Sequence, residues 1–192
     1  MRIVSGEFRG RAIAAPKGDS TRPTTDRVRE ALTSSLVSLR GTLEGAIVLD
    51  AFAGSGALGL EALSRGAASA TFFERDRAAA NVVRENIRKC GLASERAQVV
   101  NRDAMKSSPS NSAGAFDLVF LDPPYAYAAA DVLSAVASWA DLGLIGPCAI
   151  IVYEHAIKDA DAVSAAGQEA GLAFVALKKY GKTGVSLFNT AD

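Results

Sequence analysis

Ile47-Val48-Leu49-Asp50-Ala51-Phe52-Ala53-Gly54-Ser55-Gly56-Ala57-Leu58-Gly59-Leu60-Glu61-Ala62-Leu63 decides the fold. An apolar, β-branched run ends on an acid, a glycine-rich turn follows, and an apolar helical stretch begins. Strand, tight turn and helix in that order open a nucleotide-binding α/β sheet. The glycines admit backbone conformations closed to residues with a Cβ and let a ligand approach the main chain. The helix start offers N–H groups that have no intrahelical partner.

Gly54, Gly56 and Gly59 satisfy G-x-G-x-x-G, the pattern of a dinucleotide site. Two details point elsewhere. Asp50 closes the strand ahead of the glycines, where its carboxylate would repel a pyrophosphate. Three residues also separate it from Gly54, a wider turn than a dinucleotide turn. A cationic ligand without phosphates suits this loop, and S-adenosylmethionine (AdoMet) is one. A purely structural turn would carry the same glycines.

Working outward, strands are expected at 46–50, 69–74, 97–101, 116–121 and 146–153. Helices are expected at 57–65, 76–90, 129–140 and 157–170, with a helical turn at 103–107. Such alternation gives a mainly parallel sheet with helices on both faces. Gly181 and Gly184 mark a turn between strands at 172–179 and 184–189, an antiparallel hairpin that completes seven strands. Upstream, residues 2–14 alternate loosely and break at Ser5-Gly6 and Arg9-Gly10, the pattern of a short β-hairpin. A helix over 25–40 follows, with Val28, Leu32, Leu36 and Leu39 at helical spacing and Gly41 at its end.

The 192 residues, 49% of them apolar, suffice for one domain with a proper core. No apolar run approaches the roughly 20 residues a bilayer span needs, and Met1-Arg2-Ile3-Val4-Ser5-Gly6 shows no signal-peptide core. A cytoplasmic monomer without a membrane partner is expected. Cys90 and Cys148 lie far apart without a CxxC, as idle thiols do in a reducing compartment. A histidine-based metal site or triad would rest on His155 alone, so no metal is expected. Net charge is zero but uneven: residues 1–29 hold seven basic residues (Arg2, Arg9, Arg11, Lys17, Arg22, Arg27, Arg29) against three acids. A basic arm on a mildly acidic body fits a polyanion partner, and arginine is the better bidentate phosphate ligand. A solvated basic face would look the same.

Ligands of open α/β sheets sit beyond the carboxyl ends of the strands, and acids gather there. Asp50 ends the first strand, Glu74 the second, Asp103 follows the third, and Asp122-Pro123-Pro124-Tyr125 follows the fourth. Glu74 lies 24 positions past Asp50, near the spacing at which an acid accepts from ribose hydroxyls. Asp103 is placed for an adenine amine and Asp50 for the amino end of a methionine moiety. Ion pairing of Glu74 with Arg75 or Arg77, and helix capping by Asp103, are the structural uses of the same residues. Pro123 and Pro124 fix φ and remove donors. Their carbonyls and Asp122 then form an acceptor set for an exocyclic amine, with Tyr125 able to stack on a base. The set suits adenine and cytosine amines as well as guanine.

These residues resemble AdoMet-dependent methyltransferases that modify exocyclic amines of bases, and more specifically the RsmD family, which methylates N2 of a guanine in 16S ribosomal RNA. The resemblance covers nearly the whole chain: Arg2-Ile3-Val4-Ser5-Gly6 with Arg9-Gly10-Arg11, Arg22-Pro23-Thr24-Thr25-Asp26-Arg27-Val28-Arg29-Glu30, residues 50–66, the Asp122 tetrad, and Tyr180-Gly181-Lys182-Thr183. Thr33-Ser34-Ser35 departs from the aromatic and asparagine that relatives carry there. The resemblance implies a Rossmann-like class I methyltransferase domain over 25–192. It places AdoMet at Asp50, Phe52, Ala53, Gly54, Gly56, Glu74, Arg75, Asp103 and Ala104. It places Asp122, Pro123, Pro124 and Tyr125 at a flipped-out guanine. It also implies a basic extension over 1–24. Arg2, Arg9, Arg11, Arg22, Arg27 and Arg29 would grip ribosomal RNA, alone or within a small subunit or its assembly intermediate. A DNA adenine-N6 or cytosine-N4 methyltransferase, or a nucleic-acid-binding Rossmann-like protein without methyl transfer, are the alternatives. The nucleoside produced and the binding of AdoMet separate them.

Overall fold

The computed structural model describes residues 1–16, 26–110, 112–124 and 126–191, so Arg22 and Tyr125 lie outside the described residues. Helix α1 spans Asp26–Arg40, followed by β1 (Ile47–Asp50), α2 (Ala57–Ser64), β2 (Ser69–Phe73), α3 (Arg77–Lys89) and β3 (Ala97–Val100). Next come β4 (Phe116–Leu121), α4 (Ala129–Asp141), β5 (Ile145–Ala156), α5 (Ala160–Glu169), β6 (Ala173–Tyr180) and β7 (Thr183–Asn189). The strands form one sheet in the order β3-β2-β1-β4-β5-β7-β6. The pairs β3/β2, β2/β1, β1/β4 and β4/β5 are parallel, and β7 is antiparallel to both β5 and β6. Strand order reverses between β1 and β4, and such a switch point leaves a crevice beyond the carboxyl ends of the two strands.

The central strands read as apolar runs because both faces are covered. Val48, Leu118, Phe120 and Val152 pack under α1, α2 and α3, while Leu49, Val119, Leu121 and Ile151 pack under α4 and α5. Gly59, the third glycine of the fingerprint, serves this packing: a Cβ there would run into the Phe72 ring. Strand β5 continues past the expected end at 153 because Glu154, His155 and Ala156 pair with Val185, Gly184 and Thr183 of β7. Gly184 makes this fit, since a Cβ would come within 2.5 Å of the His155 ring. At the far edge, β6 has a strand neighbour on one side only among the described residues, and Phe174 and Val175 are 48% and 37% exposed.

The expected N-terminal hairpin is present as a short antiparallel pairing: Arg2 bridges Ala12, Ile3 N–H donates to the Arg11 carbonyl (3.0 Å), Gly10 N–H to the Ile3 carbonyl (2.9 Å) and Ile13 N–H to the Met1 carbonyl (3.1 Å). Other donors of the segment go to α2. Val4 N–H and Ser5 N–H donate to the two Glu61 carboxylate oxygens (2.9 and 3.0 Å), Glu7 N–H to the Ser64 carbonyl (2.7 Å) and Phe8 N–H to Ser64 Oγ (2.9 Å). Ile3, Phe8 and Ile13 join the main core. In α1 the buried stripe is Arg29, Leu32, Thr33 and Leu36, and Leu39 is 47% exposed.

Candidate active site

The carboxyl rim of the sheet is built first by the turn after β1. Gly54 (φ 53°) and Gly56 (φ 76°) adopt left-handed conformations that side chains disfavour, and Gly56 N–H closes the turn on the Ala53 carbonyl at 2.6 Å. Asp50, 3% exposed, accepts from Gly59 N–H at 3.2 Å. Loss of water pushes its carboxyl up to about 7, the Glu74 charge adding to this and the bond from Gly59 opposing it. Glu74 makes neither expected ion pair the basis of its position. Its oxygens accept from Gly54 N–H (2.9 Å) and Asp76 N–H (2.8 Å), which ties the β2 end to the glycine turn.

Asp103 caps a short 3₁₀ turn through Met105 N–H (3.0 Å) and turns its other oxygen to the Tyr127 hydroxyl, which donates at 2.9 Å. Arg75 Nη1 donates to that hydroxyl at 3.1 Å, its guanidinium carbon lies 5.7 Å from the ring centroid, and Phe52 meets the ring at 5.8 Å. Phe52, Arg75 and Asp103, all expected around one ligand, therefore converge. Ala53 and Ala104 are buried.

Across the switch point, Asp122 directly follows β4. The register pairs Leu121 with Tyr153, which puts Asp122 beside Glu154 of β5, while Asp50 pairs with Phe120. The Asp122 carboxyl is raised well above its usual range by loss of water and by the charges of Glu154 and Asp50. The residue opens to solvent on one side, which limits how far loss of water moves it. Tyr153 behind it is pushed up to about 12 by burial and by the charges of Asp122 and Asp159. The Pro124 carbonyl already accepts from Tyr127 N–H at 3.0 Å, which corrects the expectation that both proline carbonyls stand free; the Pro123 carbonyl has no hydrogen-bond partner among the described residues.

The arginines divide. Arg29 is 1% exposed and its guanidinium donates to Asp26 (2.6 Å) and the Arg2 carbonyl (2.7 Å). It holds α1 to the N-terminal segment and cannot meet a phosphate, which corrects its assignment. Arg2 pairs with Asp26 at 3.3 Å yet stays exposed, and Arg27 is exposed. Arg9 and Arg11 are exposed beside the carboxyl ends of α2 and α3, where Arg11 donates to the Lys89 carbonyl at 2.8 Å. That is one length of α2, about 12 Å, from the glycine turn. Met1 Sδ, by contrast, lies 3.4 Å from Ser55 Oγ of the turn.

Glu154 and Tyr127 are the rim residues that the sequence reading missed. Glu154 ends an apolar run, Ile150-Ile151-Val152-Tyr153, the same signal that marked Asp50 and Asp122. Tyr127 carried no signal beyond its nearness to the proline pair.

Carboxylates at Asp50, Glu74 and Asp103 with an open glycine turn, where a Cβ on Gly54 would meet nothing within 4 Å among the described residues, suit a cation bearing a diol and an amine better than a pyrophosphate. The strand order and this rim define a Rossmann-like class I methyltransferase. Over residues 1–189 the chain matches the family described as conserved hypothetical protein 95, and it belongs to that family, the RsmD family of methyltransferases. It is 38% identical over 156 residues to ribosomal RNA small subunit methyltransferase D of Haemophilus influenzae, covering 80% of this chain and 78% of that protein. To the Escherichia coli protein of the same name it is 45% identical over 130 residues, covering 65% of this chain and 60% of that protein. The solved structure of yhhF from Escherichia coli superposes with a TM-score of 0.79 at 31% identity, covering 100% of this chain and 98% of that one.

Proposed function

We propose that this methyltransferase transfers a methyl group from AdoMet to the exocyclic N2 amine of a guanine in small-subunit ribosomal RNA. The observation that carries the reading is the division of the rim at the switch point. Asp50, Glu74 and Asp103 lie on the β1–β3 side, and Asp122-Pro123-Pro124 lies on the β4 side. The relatives named above, which act on small-subunit ribosomal RNA by name, support the choice of substrate.

AdoMet, when bound, supplies an electrophilic methyl group on a sulfonium. Asp50 is suited to face its ammonium, Glu74 the ribose hydroxyls and Asp103 the adenine amine, with Phe52 and Arg75 flanking and the backbone of Ala53, Gly54, Gly56 and Ala104 lining the turn. On the other side, Asp122 and the Pro123 carbonyl accept from the guanine amine, whose lone pair is delocalised into the ring. Acceptors fixed around its protons hold it in line and favour the positive charge that develops on it. A carboxyl raised by loss of water and by the charges of Glu154 and Asp50 is suited to take up the proton that the amine sheds. Tyr125 is assigned to stack on the flipped base, and Arg2, Arg9, Arg11, Arg22 and Arg27 to the RNA backbone. The enzyme is expected to act as a cytoplasmic monomer; no helix among the described residues is long and apolar enough to cross a membrane.

Nucleoside mass spectrometry of ribosomal RNA from cells lacking the protein tests this. N2-methylguanosine should fall and return with the wild-type chain, while Asp122→Ala should restore it with a rate about 100-fold lower or worse. Loss of N6-methyladenosine or N4-methylcytidine instead, or of no nucleoside, would refute the assignment.

A further inference from the structure

We propose that Tyr127 competes for the adenine seat of the donor site and ties that seat to the target loop. The proposal rests on the reading of Asp103 as the adenine acceptor. A phenol presents a flat ring with one donor on its edge, and adenine presents a flat ring with an amine on its edge. Tyr127 satisfies the partners a donor's adenine would use. Its hydroxyl donates to Asp103 Oδ2 at 2.9 Å, its ring meets Phe52 at 5.8 Å, and the Arg75 guanidinium lies 5.7 Å from the ring centroid. Asp103 Oδ1 already accepts from Met105 N–H, and an amine approaching Oδ2 meets the Tyr127 hydroxyl bonded there. A purine plane between two rings needs about 3.5 Å on each face, more than the present Phe52–Tyr127 separation. An adenine and the Tyr127 ring therefore exclude one another.

The same residue is anchored to the target side. Tyr127 N–H donates to the Pro124 carbonyl at 3.0 Å, in the turn that links Asp122-Pro123-Pro124 to α4. A donor that claims Asp103 displaces the Tyr127 ring and pulls on that turn, so the base-holding loop registers donor occupancy. Tyr127 acts here as a positioning residue, through Asp103 on one side and Pro124 on the other.

Titration calorimetry on the full chain tests this, with AdoMet, adenosine and methionine as separate probes. Tyr127→Phe keeps the ring and removes the competing hydrogen bond, so AdoMet and adenosine should bind about 3- to 10-fold more tightly, with methionine unchanged. Tyr127→Leu, which also lacks the hydroxyl, should shift both in the same direction. In the wild-type chain, AdoMet should speed hydrogen exchange at the Tyr127 amide as its bond to Pro124 is strained. Unchanged or weaker AdoMet binding by a folded Tyr127→Phe protein overturns the competition, and slower or unchanged exchange overturns the link to the loop. If neither the wild type nor the variants bind AdoMet, the donor-site reading falls, a result distinct from both.

Discussion

Asp50 shows what one carboxyl gives up to serve a binding site. It is enclosed at the end of a central parallel strand, and its folded-state pKa of about 7 stands above the ordinary value of 3.8. An acid raised in this way favours its protonated form in the folded chain. Its contribution to stability is complete below about pH 4 and is lost as pH rises to 7, about 4 kcal/mol in all. Asp50→Asn should therefore melt several degrees higher than the wild type at pH 7.5 and match it near pH 4, as thermal unfolding at a series of pH values would read. The same variant should bind AdoMet at least 10-fold more weakly by calorimetry, because it lacks the charge for the ammonium. Wild-type affinity should climb between pH 6 and 8 as Asp50 ionises. Asp50, Glu74, Asp103 and Asp122 were legible at this scale because an acid at a strand end leaves a mark in sequence. Arg29 was misread because a count of charges carries no direction. Its spacing to Leu32 and Leu36, three and seven residues on, places it on the buried stripe, and that spacing was the overlooked clue.

Among the elements, α2 is where the N-terminal segment is secured. Glu61, fully buried, accepts from two backbone N–H groups of that segment and pairs with Arg65 at 3.3 Å. Glu61→Ala strands those donors and should cost about 3 kcal/mol in chemical denaturation. Limited proteolysis should then cut first within residues 1–16. The strands and helices themselves were readable from sequence, since apolar runs bounded by acids and glycines fix their ends to within a few residues. The short N-terminal hairpin was readable too, but its anchoring was not, because local alternation cannot reveal that a buried carboxylate elsewhere in the chain will claim the Val4 and Ser5 donors. The extension of β5 was hidden for the same reason: its last residues are strand only because β7 lies beside them.

Across the whole molecule, charge and site occupy different places. The exposed Arg9 and Arg11 lie toward the opposite end of α2 from the glycine turn, which suits contacts with an extended polyanion better than with the reacting base. Replacing both with alanine should weaken RNA binding and reduce the slope of log affinity against log salt by about 1.4, with AdoMet binding untouched. An unchanged slope in filter binding across a salt series would remove them from the RNA-facing surface. The two-sided rim was foreseeable at this scale from the alternation of strands and helices, whereas the closure of Tyr127 on Asp103 joins two connections far apart in sequence, the one after β4 and the one after β3.

The bare flank of β6 has a practical outcome for anyone concentrating or storing this protein. Backbone beside the apolar Phe174 and Val175 that pairs with no strand among the described residues is a template on which a second molecule can add a strand. Clumping on warming should begin there, far from the catalytic crevice. Val175→Lys, a charge set on the open margin, should delay the onset of light scattering in a heated sample while turnover stays at the wild-type rate.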